Sequence, residues 1–358
     1  MRQVFATFMI GITLGKVLLW GIGTQAFSWA QTPDPKDYPL ARAQVLLIEA
    51  IALTEKGLQD ASAISKTVSE KLRKAGFAIA SSPDQTPPPD ATVHIKCEER
   101  QTWTGPSQYR SQTLATRLWK GPVCQLSYRF DGQTPNWKRE IRTSFEDSIQ
   151  ASQAAGATNS GTFALEALNT RLQEDDFPLF LAAEWGQTDR LLSLFQQSGD
   201  HIERQKTILQ LLGTIPSSQS FATLQEALGN PALVFTALEG LGQQGENSIP
   251  VLIGYLETAT DPAHRLAAIR ALGTIATFSK NPALFTQFMN LLGSDDPRIQ
   301  TEAVKGLGNL GDRRAIQPLE KLNLQAWTNP STHPDMESLR EMLSWSLWQL
   351  SPGAHTGG

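Results

Sequence analysis

The chain has 358 residues, 40% apolar and 18% charged, with 31 Lys and Arg against 35 Asp and Glu for a formal net charge of -4. Apolar content of this size builds cores and argues against a wholly disordered chain, and the length corresponds to two domains or three. The mild acidity argues against a dedicated nucleic-acid binder. Two cysteines cannot furnish a Cys-rich zinc site, and five scattered histidines speak against a His-based one, so neither metal nor cofactor is expected.

Residues 1–30 read as an address. The stretch from Val4 to Gly23 is apolar apart from Thr7, Thr13 and Lys16, and small residues stand at Ser28 and Ala30, ahead of the polar Gln31-Thr32-Pro33-Asp34-Pro35. This pattern predicts a signal peptide cut between Ala30 and Gln31, a linker over 31–37, and a protein that works in the periplasm or an equivalent extracytoplasmic compartment. Lys16 interrupts the apolar run and leaves two alternatives. In one, the segment is an uncleaved anchor that tolerates the lysine near mid-membrane at some cost. In the other, translation starts at Met9, which puts Lys16 in the charged leader of a short apolar core, Val17 to Gly23. No other segment reaches ~18 consecutive apolar residues, so membrane contact is expected only through an uncleaved N-terminal segment.

Residues 38–175 read as a small α+β domain. The run 41–57 is nearly continuously apolar in its middle; periodicity does not separate helix from buried strand there, and its Ala and Leu content favours helix. Ala61, Ile64, Val68, Leu72 and Ala75 recur at helical spacing and Gly76 ends the pattern, which predicts a helix over 60–75. Short strands follow: Phe77 to Ala80, then Val93, Ile95 and Cys97 alternating with polar residues, then Cys124, Leu126, Tyr128 and Phe130, then Trp137 to Phe145 with Arg139 breaking the apolar side. Period-2 alternation predicts half-buried antiparallel strands covered on one face by one or two helices. Gly76-Phe77 followed by Asp90-Ala91-Thr92-Val93 resembles small α+β modules of bacterial envelope lipoproteins.

Parity puts Cys97 and Cys124 on the apolar sides of their strands, where they form either a disulfide or two buried thiols; export favours the former. Between Lys96 and Arg142 nine basic residues (Lys96, Arg100, Arg110, Arg117, Lys120, Arg129, Lys138, Arg139 and Arg142) face four acids, with Trp103, Trp119 and Trp137 interleaved. They form either an ordinary solvated strand face or a cationic surface for an anionic polymer or membrane headgroups.

The C-terminal half repeats. Thr207–Gly213, Thr236–Gly242, Ala267–Gly273 and Glu302–Gly308 align without gaps, each closing on Leu-Gly, with the closing glycines 29, 31 and 35 residues apart. Asn230-Pro231, Asp261-Pro262 and Asp296-Pro297 predict helix starts, as does Asn281-Pro282, because an Asn or Asp oxygen caps orphan N–H groups and Pro at the first position has none to lose. Apolar stripes between these starts predict antiparallel helix pairs stacked as an all-α solenoid over 177–352, with Phe177 to Phe195 as one cap, Leu343 to Trp348 as an atypical last helix and 353–358 as a disordered tail. Two literal G-x-G-x-x-G matches, Gly240 to Gly245 and Gly306 to Gly311, follow predicted helices and not strands, so they read as helix packing and termination.

The best copy, Asp296 to Gly311 followed by Ala315-Ile316-Gln317-Pro318-Leu319, resembles HEAT repeats, specifically the short HEAT-like repeats of phycobilisome lyases. The resemblance covers 177–352 and implies a scaffold whose partner is another protein; from its lyase side it implies handling of a bilin chromophore, which export counts against. Three functions stay open: a non-enzymatic protein-binding scaffold, a binder of envelope polymer or membrane surface through the basic strands, and chromophore handling. Charge divides unevenly: residues 1–176 hold 19 basic and 18 acidic side chains, residues 177–358 hold 12 and 17. Edman sequencing of the mature protein is expected to start at Gln31; an intact Met1 or Met9 terminus on membrane-bound protein rejects cleavage.

Overall fold

A computed structural model describes residues 38–99, 101–102, 119–328 and 333–351, with backbone alone at 101–102 and 119–120. The predicted signal segment with Ala30 and Gln31, the linker, the tail, and Arg100, Arg110 and Arg117 lie outside the described residues.

The apolar run expected as helix is instead a ten-residue strand, β1 (Val45–Thr54). It pairs along both edges, with β4 (Ala91–Glu98) on one side and with β2 (Gly57–Gln59) and β3 (Ala78–Ile79) on the other. Pairing along both edges and burial of Leu46 and Ala52 on one face outweigh the intrinsic helix preference of Ala and Leu. The sheet is mixed and not wholly antiparallel, because β1 runs parallel to β3 and β4 while α1 (Ser62–Lys74) returns the chain between them. A separate two-stranded pair, β5 (Gln101–Thr102) and β6 (Trp119–Lys120), precedes β7 (Val123–Arg129) and β8 (Arg139–Arg142), which complete the order β2-β1-β4-β7-β8.

Val93, Ile95, Leu126 and Ile141 point to one face of the sheet, which α1 and a second helix cover. The helices after β8 are α2 (Ser148–Ala154), capped by Asp147, and α3 (Ser160–Glu174), capped by Asn159. Glu99, 2% exposed, ties this end together: its carboxylate accepts from the Ser148 and Ser160 hydroxyls at 3.0 and 2.8 Å and from the Glu55 N–H at 3.0 Å. Asp90 accepts from the N–H groups of Gln44 and Val45 and so fixes the start of β1.

Helices then follow one another: α4 (Phe177–Glu184), α5 (Thr188–Gln197), α6 (Ile202–Thr214), α7 (Ser218–Ala227), α8 (Val234–Gln244), α9 (Ile249–Thr258), α10 (Pro262–Ile275), α11 (Pro282–Leu291), α12 (Pro297–Leu310), α13 (Ile316–Thr328) and α14 (Met336–Leu350). The side chains of Asp261, Asn281 and Asp296 cap α10, α11 and α12 as predicted. Asn230 caps a turn instead, and α8 begins at Val234. α6, α8, α10, α12 and α14 stack as one layer, and each packs on the odd-numbered helix before it.

The repeated glycines occupy that stacking seam. A Cβ on Gly213 would lie 2.8 Å from the Gly240 Cα; one on Gly242 would lie 3.1 Å from the Ala271 Cα. One on Gly308 would lie 2.7 Å from both Ser346 Oγ and the Trp345 ring, so packing, and no positive φ, demands glycine there. Gly273 is the exception, with open space around its missing Cβ. The two G-x-G-x-x-G runs close α8 and α12, where Gly245 and Gly311 take φ of +86° and +69°.

The solenoid's first hairpin is built into the α+β domain. Trp185, 1% exposed, meets Phe77 and Tyr128 edge to face at 5.8 and 5.3 Å. The Arg190 guanidinium lies 3.5 Å over the Phe77 ring and donates to the Ala75 carbonyl at 2.7 Å and to Gln44 Oε1 at 2.9 Å. Gln187, which accepts from Arg190, donates to the Leu40 and Ala43 carbonyls. Burial pushes the Arg190 group down to about 10, which leaves it charged at neutral pH. Arg139, the residue that broke the apolar side of its strand, faces inward onto a bidentate pair with Asp175 and lies over Phe180. A single buried core therefore runs from β1 to α14.

Two outcomes follow for stability. Gly213→Ala and Gly308→Val are expected to lower the melting temperature through overpacking of about 1–3 kcal/mol, whereas Gly273→Ala raises it by the helix preference of about 0.5–1 kcal/mol. Equal effects at the three positions reject the seam. Arg190→Ala leaves the Ala75 carbonyl without its side-chain donor and is expected to cost about 2 kcal/mol in urea unfolding, with Arg190→Lys recovering only part, since an ammonium lacks the planar fork. An unchanged midpoint rejects the clamp.

Candidate interaction surface

Stacked helices that touch through glycine and alanine turn their remaining faces to solvent at a fixed spacing. On α8 the outward stripe is Phe235, Glu239 and Gln243; on α10 it includes Arg270 and Thr274, and on α12 Arg298 and Lys305. Neighbouring helices are linked across this surface: the Phe235 ring meets His264 edge to face at 4.9 Å, and Arg270 pairs with Glu302 at 2.7 Å. Polar side chains also close the helix ends. Gln244 Nε2 donates to the carbonyls of Leu212, Gly213 and Ile215, and the Lys280 ammonium to those of Asn309 and Leu310. These bonds satisfy the last carbonyls of α6 and α12 and hold the register of the exposed stripe.

An open cleft of about 1160 Å³ lies between α1 and the start of the solenoid. Its charged lining is partly engaged: the Lys71 ammonium donates to the Gln173 carbonyl at 2.6 Å, Arg204 pairs with Asp176 at 3.2 Å, and Lys206 just outside it pairs with Glu203. Burial holds the Lys71 group below the usual lysine range. Among the described residues no three His, Cys, Asp or Glu side chains gather as metal ligands, and no helix is long and apolar enough to cross a membrane.

Cys97 and Cys124 stand directly opposite each other on β4 and β7, both fully buried, with their sulfurs bonded at 1.98 Å. Strand parity placed both side chains on one face; the direct cross-strand register came from pairing that parity does not specify. Five of the nine basic residues have described side chains, and acids engage three of those five. Lys96 pairs with Glu98, Arg142 with Glu140 and Arg139 with Asp175, while Arg100, Arg110 and Arg117 fall outside the described residues. Nothing in the sequence flagged Glu99, Gln187 or Arg190, because each acts on backbone groups far away in the chain.

Four of the nine exposed large apolar side chains among the described residues, Leu324, Trp327, Trp345 and Trp348, lie on the last two helices. The expected atypical cap is thus an aromatic one.

A family model described as HEAT repeats matches residues 188–273 and 249–327. No curated protein matches the chain. A crystal structure of an engineered protein is similar at 18% identity over 57% of this chain and 57% of its own length, with a TM-score of 0.34, which carries no argument. The match falls on the helices whose glycines form the stacking seam: residues 188–327 are HEAT repeats, in an all-helical solenoid that follows an α+β region.

Proposed function

We propose that this chain is an exported, non-enzymatic scaffold that binds another protein along its HEAT repeats. The observation that carries the reading is the fixed register of exposed side chains on α8, α10 and α12, set by the Gly242–Ala271 contact, by the Asn309 bond to the Gly273 carbonyl and by side-chain caps on the helix ends. Stacked repeats offer an extended surface of this kind to a protein partner. Fusion of the first hairpin to the α+β domain through Trp185 and Arg190 gives the surface a fixed orientation relative to that domain. Export rests on the composition of residues 1–30, and an oxidising compartment suits the Cys97–Cys124 pair. The lyase-type detail of the resemblance gains no support from the comparisons, and pairing of Lys96, Arg139 and Arg142 with acids weakens the polymer-binding alternative.

Pull-down of the mature protein from envelope extract is expected to recover one stoichiometric protein partner, lost when the stripe is altered by Phe235→Asp with Lys305→Glu. The non-reduced protein should be lighter by two hydrogens than the reduced one. Coloured adducts, or partner-free sedimentation with cell-wall polymer abolished by salt, would replace this reading.

A further inference from the structure

The glycine seam gives the repeats a register that the last helix uses differently. At three of the four closing glycines a small residue of the next helix fills the space, while Gly273 meets nothing: Gly213 receives Gly240, Gly242 receives Ala271 and Gly308 receives Ser346. In that register Ser346-Leu347-Trp348 corresponds to Gly240-Leu241-Gly242. Trp348 therefore stands where the earlier helices carry the glycine that admits a neighbour, and it is 58% exposed. An indole at that position blocks a further hairpin and leaves a large apolar side chain on the open end.

The rest of the end face is patterned. Leu339, Leu343, Ser346 and Leu350 are buried, while Glu337, Glu341, Ser344 and Trp348 recur on the opposite, exposed side of α14. They span twelve residues, or about 16 Å of helix. Trp345 borders this stripe, and α13 adds Leu324 and Trp327, which are 66% and 63% exposed. Arg340 is occupied, lying over the Trp327 ring and donating to the Ala326 carbonyl at 2.9 Å. Among the described residues Glu337 and Glu341 have no ion-pair partner.

We propose that this end face docks a basic amphipathic helix of a partner protein, with aliphatic residues over Trp345 and Trp348 and Lys or Arg about two turns away over Glu341 and Glu337. The proposal rests on the protein-binding reading above and names one site and one partner chemistry for it. Charge selects the occupant. Two copies of α14 related by a two-fold axis set carboxylates against carboxylates when parallel and against indoles when antiparallel. Residues 352–358 hold no large apolar side chain and no Lys or Arg. Anionic lipid headgroups are repelled by the two carboxylates. A helix with cations and an apolar stripe complements both halves of the face.

The test uses the chain with and without residues 1–30 and a synthetic helix of about eighteen residues, Leu at i, i+3, i+4 and i+7 and Lys over the next two turns, beside the same peptide with Glu for Lys. Calorimetry is expected to show binding of the Lys peptide alone, weakening as salt rises. Trp348→Gly should weaken it about tenfold or more, and Glu337→Lys with Glu341→Lys should reverse the preference toward the Glu peptide. Both carboxylates are exposed, so an unchanged melting temperature certifies that the charge swap is folded. Failure of the Lys peptide to bind, or equal binding of both peptides, overturns the inference. So do dimerisation abolished by Trp348→Asp, sedimentation with anionic phosphatidylglycerol vesicles, or peptide binding only after removal of residues 1–30, which assign the face to a second copy, a lipid surface or the chain's own leader. A partner that cross-links to Phe235 or Glu239 and ignores the charge swap overturns this inference while leaving the scaffold reading intact.

Discussion

Helical hairpins in a stack bury their apolar faces only against neighbours, so every such stack has two ends to cover. Here the ends are closed by different means. At the first, α4 and α5 merge with the core of the α+β domain: Trp185 packs edge to face on Phe77 and Tyr128, and Arg190 satisfies the Ala75 carbonyl at the end of α1. At the last, α14 covers the seam of α12 with Ser346, whose hydroxyl donates to the Val304 carbonyl, and then presents indoles outward. The α+β domain thus serves as a folding partner of the repeats as well as their neighbour in sequence.

That closure also explains where buried polar groups sit. Arg190, Gln187 and Arg139 lie at the joint of the two folds, where the chain passes from sheet to helix and where carbonyls and carboxylates would otherwise be stranded. A buried cation is costly unless its donors are matched, and these guanidinium groups also gain an aromatic face, Phe77 for Arg190 and Phe180 for Arg139. Glu99 does the same at the far end of the sheet with two hydroxyls and an N–H.

Much of the solenoid was legible in the sequence because its constraints are local and repeated. Asp261, Asn281 and Asp296 cap their own helices, and the Leu-Gly pairs mark one seam copied along the chain. The sheet was legible as parity, in Val93, Ile95 and Cys97, but its pairing was not: β1 is a strand because β4, β2 and β3 flank it, and its own Ala and Leu argue the other way. Arg190 was illegible for the same reason, since its value depends on carbonyls 115 and 147 positions away. The break at Asn230 shows the limit even within the repeats: Asx-Pro specifies a capped turn, and whether the helix starts there or three residues on is set by packing.

The exception at Gly273 separates sequence register from physical need. The same Leu-Gly pair recurs there, yet nothing stands near the missing Cβ, while Asn309 of α12 reaches across to the Gly273 carbonyl at 3.2 Å. The α10–α12 step is therefore bridged by a side-chain hydrogen bond where the flanking steps are closed by contact between small residues. A repeat can keep its motif while changing what holds it. Trp348 shows the converse, where the motif is lost and an exposed indole takes the place of the glycine. Reading the seam by its contacts, and not by its consensus, is what separates the positions that hold the stack together from those that face outward to a partner.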